Sequence, residues 1–244
     1  MITGKIIWFD EVNSTNTYIK SNYRSLENGN VIAAKHQTNG YGRLNRKWYE
    51  KSNQNLTFSI YLKLPLKENL AIITQAIACS VYQTLCELNV SSKIKWPNDI
   101  LVKDKKICGI LVETIIDAEY ANTIIGIGLN VNSESFHESI MNKATSLLIE
   151  TGSSFEISEV LDILLKNINY NIMSYLSEDY KFLDVCRSNS YLIGKRVLLE
   201  NQKTTALVKG IDNFGRLVVE INNKEELFIG SEVSLDSTYC TKEN

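Results

Sequence analysis

The spacing of apolar residues between Leu56 and Val131 limits what this chain can fold into more than any other feature. Leu56–Leu64 alternates with the two-residue period of a strand, whereas Leu70, Ile73, Ile77, Val81, Leu85 and Leu88 recur at the spacing of an amphipathic helix. Strand-like segments return at Lys93–Trp96, Ile100–Lys103, Ile107–Ile116 and Thr123–Val131, with Asp104-Lys105 read as a tight hairpin turn between the second and third. A helix among strands in this order predicts an α+β fold, a mixed β-sheet packed with helices.

The flanks extend the pattern. Lys5–Phe9 reads as a strand ending at the turn-prone Asp10–Asn13, and Ser14 or Thr15 caps a short helix through Tyr23, because a hydroxyl there accepts the orphan backbone N–H groups. Asn30–Lys35 is a β-branched strand, after which residues 36–55 lack periodicity; so long a loop in a compact domain is usually functional or mobile. From Ile157 to about Cys186 the helical period returns in Val160, Ile163, Leu164, Ile168, Ile172, Tyr175 and Leu176. After Gly194 come short β segments at Arg196–Leu199, Thr205–Ile211, Leu217–Ile221 and Glu226–Ile229, with turns at Asp212–Gly215 and Asn222–Lys224. They predict a small β-barrel over residues 191–244, appended to a larger domain over residues 1–190.

With 44% apolar and 22% charged residues the chain can bury a core, which excludes collagen-like and disordered readings. No apolar run nears the length of a membrane helix, and Met1 to Asp10 has no apolar stretch behind a basic start. Five scattered cysteines without a C-x-x-C, and only two histidines, argue against a disulfide framework or a zinc site and for a reducing cytoplasm. The formal net charge of −2 hides an asymmetry: Lys35 to Lys106 holds 12 basic and 5 acidic residues, leaving 14 and 23 for the rest. A basic middle in an acidic chain fits a compact anion such as a phosphate ester better than long nucleic acid, although a solvated lysine face would look the same.

Five segments carry chemistry. Ser14-Thr15-Asn16 places three small polar groups at a helix start, of which an ordinary cap explains one. Gln37-Thr38-Asn39-Gly40-Tyr41-Gly42-Arg43-Leu44-Asn45-Arg46-Lys47-Trp48 joins glycines, which let backbone N–H groups approach an anion, to arginines that pair with phosphate and an indole that offers a stacking face. It is neither a P-loop nor a dinucleotide fingerprint. Lys95-Trp96-Pro97-Asn98-Asp99 makes a turn that accounts for the last three residues but leaves an ammonium at the edge of the core. In Lys105-Lys106-Ile107-Cys108-Gly109-Ile110-Leu111-Val112-Glu113, a lysine at the mouth of a buried strand can stabilise charge that develops in a transition state. Lys105 itself reads as an exposed turn residue, and Cys108 as core packing rather than a nucleophile. Gly126-Ile127-Gly128-Leu129-Asn130-Val131-Asn132 sets two glycines in a strand, the mark of close approach by a ligand or of a crowded sheet.

In this order the segments closely resemble the biotin–protein ligase family, in its form lacking an N-terminal DNA-binding domain: the S-T-N triplet, the G-R-G-R-x-G-R-x-W loop, K-W-P-N-D, K-x-x-G-I-L-x-E and G-x-G-x-N. Ala144-Thr145-Ser146-Leu147 also fits, and Gly210-Ile211-Asp212 through Gly230-Ser231-Glu232-Val233 is similar to the family's SH3-like C-terminal domain. Two loop positions depart: Tyr41 stands where many members have Arg, and Asn45 where many have Gly. The resemblance implies a catalytic domain that makes biotinyl-5′-AMP from biotin and ATP with Mg2+, then passes biotin to one lysine of a carboxylase's biotin carboxyl carrier domain.

Carried over position by position, it implies that Ser14, Thr15, Asn16 and Gln37 bind the ureido end of biotin, that Gly40, Tyr41, Gly42 and Arg43 close over the activated carboxylate, and that Trp48, Gly109 and Gly128 also contact biotin. Arg43 and Lys106 would be catalytic, with Lys106 on the biotin carboxylate and the α-phosphate. ATP would meet Arg43, Arg46, Lys95, Asn98 and Asn130, and no metal ligand is assigned. It further implies a cytoplasmic protein, a monomer or weak homodimer, with no DNA and no membrane as partners. A lipoate or octanoate ligase, a non-catalytic biotin- or nucleotide-binding module and a biotin-sensing repressor are the alternatives. For the repressor, no residues precede the first strand–helix unit to build a DNA-binding domain, so duplex binding is not expected.

Overall fold

The computed structural model describes residues 2, 4–50, 52–67, 70–117, 120–199 and 203–230, and the backbone of 235–236. Its larger sheet contains β1 (Ile6–Phe9), β2 (Val31–Ala34), β3 (Asn55–Pro65), β4 (Lys93–Lys95), β5 (Asp99–Val102), β6 (Lys105–Asp117) and β7 (Tyr120–Asn130). The strand order is β1-β2-β3-β7-β6-β5-β4, with β1 and β2 parallel and every other pair antiparallel, so the sheet is mixed as the periodicity predicts. Helix α1 (Thr15–Asn22) covers one face, packing Ile19 against Ile32, Tyr61 and Ile124. Helices α2 (Ile72–Glu87), α4 (Ile157–Leu176) and α5 (Phe182–Ser188) belong to the principal core on the other face, with Phe58, Ile60, Ile110, Ile125 and Ile127 of the sheet. Because side chains alternate along a strand, residues beside those core positions face α1. Among the described residues, no helix is long and apolar enough to cross a membrane, and Cys79, Cys86, Cys108 and Cys186 are free.

Several local expectations shift. The hairpin between β5 and β6 turns on Lys103-Asp104, one residue earlier than the sequence indicates: both have positive φ (47° and 66°), as a two-residue primed turn needs, and Val102 pairs with Lys105. Lys105 is therefore the first residue of β6, and it is exposed. The helical stretch from Ile157 breaks at Ser177–Lys181, where Glu178 is left-handed (φ 61°), so α4 and α5 are separate helices. A short α3 (Leu147–Thr151), not anticipated, is capped by the Ser146 hydroxyl, which accepts from the Ile149 amide at 3.1 Å, and stops at Gly152 with φ 74°.

The C-terminal segment forms an antiparallel sheet of β8 (Arg196–Leu199), β9 (Thr204–Ile211), β10 (Leu217–Ile221), β11 (Lys224–Phe228) and β12 (Leu235–Asp236) in the order β11-β10-β9-β8-β12. Its last expected strand is displaced toward the N-terminus because Asn222-Asn223, both with positive φ, make the turn. The Ser231-Glu232-Val233 part of the resemblance, and Cys240, lie outside the described residues. Val197, Ala206, Val208, Leu217 and Val219 join the same buried cluster as α2 and α5. Two polar ties reinforce it: the Trp96 indole donates to the Gly215 carbonyl at 3.0 Å, and Arg187 Nε donates to that of Ile211 at 2.7 Å.

Trp96 is buried and tied to the second sheet, so Trp96→Phe both leaves a void and orphans an acceptor. The expected cost is about 1–3 kcal/mol, seen in calorimetry as a Tm lowered by roughly 2–4 °C per kcal/mol.

Candidate active site

The floor of the main cleft is a patch of sheet almost bare of side chains. In register, Thr57 of β3, Gly128 of β7 and Gly109 of β6 form one row, and Ser59, Gly126 and Leu111 the next. A Cβ on Gly128 would lie 2.6 Å from the Trp48 ring, and one on Gly109 would lie 2.8 Å from Lys106 Nζ and 3.2 Å from Trp48. One on Gly126 would collide with the Asn16 amide. Each glycine thus clears space for a group that the sequence marks as functional.

Lys106 reaches this face through a β-bulge. Ile100 pairs with Cys108 and Leu101 with Lys106, leaving Ile107 as the extra residue. Ile107 and Cys108 both point into the core, fully buried, and Lys106 and Gly109 share the cleft face although they are three positions apart. Burial pushes the Cys108 thiol far up, which fits packing and not nucleophilic work.

At one end the cleft is a dense polar pocket. Ser14, Thr15 and Asn16, all buried, open α1, and Ser14 is its N-cap. Gln37 Oε1 accepts from the Thr15 amide at 2.8 Å, and the Ser59 hydroxyl lies 2.6 Å from Thr15 Oγ1 and 2.5 Å from Asn16 Oδ1. Asn16 Nδ2 donates to Glu113 at 2.8 Å. Behind the pocket, Glu50 accepts from the Gln37 amide at 2.6 Å; burial holds its carboxyl above the ordinary range, although that bond and neighbouring groups oppose the shift.

The other end is cationic. Residues 40–48 fold back on themselves: Tyr41 bridges Lys47, the Gly42 amide donates to Arg46 O at 2.8 Å, and the Trp48 amide donates to Gly40 O at 2.9 Å. Leu44 and Asn45 at the tip both have φ 55°, a conformation asparagine tolerates, so Asn45 can serve where a glycine is common. Arg43 donates to Asn98 Oδ1 at 3.3 Å and to the Gly230 carbonyl; burial lowers its pKa, and Asp99 partly restores it. Lys106 pairs with Asp99 at 2.6 Å and sits 5.5 Å from the Trp48 ring centroid. Among the described residues, Arg43, Arg46, Lys47, Lys95 and Lys106 line the cleft against one carboxylate, Asp99, an excess that suits a polyanion. The buried Trp48 Nε1 lacks a hydrogen-bond partner among the described residues and so can donate to a bound molecule.

Of the residues singled out in the sequence, Ser14, Thr15, Asn16, Gln37, Tyr41, Gly42, Arg43, Arg46, Trp48, Lys95, Asn98, Lys106, Gly109 and Gly128 line this one cleft. Gly40 and Asn130 do not. Gly40 lies behind, where a Cβ would meet Gln37 Nε2 at 2.9 Å, and Asn130 donates to the Thr145 carbonyl at 2.9 Å, bracing the segment whose Thr145 amide bonds Lys106 O. Ser59, Glu50 and Glu113 carry no sequence-based role, and the sequence reads Asp99 only as a turn residue. Ser59 had a readable signal, a small polar residue on the alternate face of an apolar strand.

A model of the biotin/lipoate A/B protein ligase family matches residues 8–130, half of the chain. The chain belongs to this family. A model of the biotin protein ligase C terminal domain also matches, over residues 193–236. The biotin protein ligase from Aquifex aeolicus in complex with biotin and ATP is 31% identical and superposes with a TM-score of 0.85, covering 95% of this chain and 98% of that one. The bifunctional ligase/repressor BirA of Escherichia coli is 26% identical over 240 residues, which are 96% of this chain and 75% of that protein. The biotin–[acetyl-CoA-carboxylase] ligase of Mycobacterium tuberculosis is 26% identical over 219 residues, 84% of this chain and 78% of its own.

Within this ligase fold Glu50 supplies a pH test. Its pKa is raised on folding, so the folded chain binds the Glu50 proton more tightly than the unfolded chain does. Its contribution is therefore most favourable at low pH and declines as pH rises above the ordinary 4.5 toward the folded value. Urea unfolding at pH 5 and pH 8 should show Glu50→Gln gaining stability relative to the parent at the higher pH.

Proposed function

We propose that this ligase joins biotin to ATP in the cleft and passes the biotinyl group to a lysine of a carboxylase's biotin carboxyl carrier domain. The observation that carries it is one continuous cleft with a hydrogen-bonding pocket at one end and clustered cations at the other. A ureido ring needs donors and acceptors together, which Ser14, Thr15, Asn16 and Gln37 provide. Trp48, lying over Gly109 and Gly128, is the apolar wall for an alkyl chain between the two ends. A lipoyl group, with a dithiolane in place of the ureido ring, brings neither N–H donors nor a carbonyl acceptor to exchange hydrogen bonds with these residues.

In the first step a carboxylate oxygen of biotin attacks the α-phosphorus of ATP, and pyrophosphate leaves. Both partners are anions, so repulsion dominates the barrier; Lys106 and Arg43 reduce it by meeting the carboxylate and the α-phosphate. Arg46, Lys95 and Asn98 serve the nucleotide side. In the second step the carrier's lysine amine attacks the biotinyl carbonyl and AMP leaves with the bonding pair. Magnesium would arrive with the nucleotide as part of the substrate, and no protein ligand is assigned to it. The catalytic domain extends to about residue 190 and the SH3-like unit from 191, with a reducing cytoplasm as compartment, a monomer or weak homodimer as the assembly, and neither DNA nor membrane as partner.

Incubation with ATP, magnesium and biotin should yield biotinyl-AMP by mass spectrometry and pyrophosphate only when biotin is present; equal activity with lipoate would overturn the assignment. Lys106→Ala should lower the single-turnover rate of adenylate formation by about 10²–10³-fold at saturating biotin. Arg43→Gly should release biotinyl-AMP into solution and label exposed lysines of bystander proteins, read by avidin blot.

A further inference from the structure

Beyond the cleft lining, one cluster of charged side chains joins three elements. Glu113 of β6 commits both carboxylate oxygens: Oε1 accepts from Lys20 of α1 at 2.5 Å, and Oε2 accepts from Asn16 Nδ2 at 2.8 Å and from the Tyr41 hydroxyl at 3.1 Å. Lys20 also donates to the Tyr41 hydroxyl at 3.1 Å and lies 5.5 Å from the centroid of its ring. Neither Lys20 nor Glu113 lines the cleft. Glu113 thus touches, through one carboxylate, the pocket residue Asn16 and the loop residue Tyr41.

The chemistry of position 41 matters here. A phenol hydroxyl can accept from the ammonium while donating to the carboxylate; an arginine could only donate, and it would set a second cation against Lys20. Tyr41 and Lys20 therefore suit each other. An isolated, half-exposed ion pair adds little, but this one shares the Tyr41 hydroxyl as a third partner, and the other carboxylate oxygen is held by Asn16 and Tyr41. Burial would lower the Lys20 pKa, yet the bonds to Glu113 and Tyr41 outweigh it and raise the value, so the ammonium persists across the physiological range.

We propose that Lys20 and Glu113 are positioning residues that latch the 40–48 loop, through Tyr41, onto the sheet beside the ureido pocket and so set how long the activated intermediate is retained. The retention part rests on the ligase reading; the latch itself does not. It is tested with Lys20→Met and Lys20→Arg in the full chain. Hydrogen exchange at the Gly42 and Trp48 amides, both bonded within the loop, needs no ligand. Lys20→Met should exchange there about fivefold faster, the size of a contribution of about 1 kcal/mol, whereas Lys20→Arg should stay near the parent. In parallel, Lys20→Met should shorten the biotinyl-AMP dissociation half-life by about the same factor while the single-turnover rate of its formation stays within about twofold. Unchanged exchange in Lys20→Met, or Lys20→Arg as fast as Lys20→Met, would overturn the latch. A parent that makes no biotinyl-AMP would overturn the ligase reading and leave the exchange result to decide the latch.

Discussion

The cleft depends on backbone that carries nothing above it. Gly109, Gly126 and Gly128 lie on adjacent strands, and at each a single methyl group would strike Lys106, Asn16 or Trp48. A sheet face normally bristles with side chains about every second residue. Removing three of them lowers the floor enough for an indole, an amide and a lysine stem to lie flat against the main chain. The opposite side of the same strands supplies Ile110, Ile125 and Ile127 to the principal core. The apolar half of the sheet holds the site rigid, and the bare half gives it depth.

Charge is arranged on that floor in order of distance from the polar pocket. The pocket's polar groups bond one another, with Glu50 and Glu113 as acceptors behind Gln37 and Asn16. Toward the other end the cations accumulate, and among the described residues Asp99 is the carboxylate that opposes them inside the cleft. Asp99 holds the Lys106 ammonium at 2.6 Å and tempers the desolvation of Arg43. Cations held close together in a partly desolvated cleft are costly on their own, and an incoming polyanion relieves that cost.

Much of this was readable in the chain. Alternation located the strands of the larger sheet to within a few residues, and the stripe from Leu70 to Leu88 located α2, because half-buried elements must repeat with their own period. The motif segments converge in space as their order implied. What alternation could not show is the bulge at Ile107: two consecutive apolar residues fit any buried strand, and strict alternation would have set Lys106 and Gly109 on opposite faces. The three-residue spacing of Lys106 and Gly109 was the clue. The hairpin turn and the helix break at Glu178 depend on left-handed Lys103 and Glu178, residue types that carry no strong preference for it. The resemblance placed Asn130 on the nucleotide side, whereas its side-chain amide donates to the Thr145 carbonyl.

Arg43 donates to the carbonyl of Gly230, 187 residues further along the chain. While this polypeptide is being synthesised, everything that shapes the cleft floor has emerged well before that acceptor leaves the ribosome. A nascent chain can therefore build the pocket and bare sheet early and offer Arg43 the Asn98 side chain, yet the second acceptor arrives only with residue 230. A chain stopped just short of Gly230 would keep the polar pocket and the bond from Arg43 to Asn98 but lose the backbone acceptor.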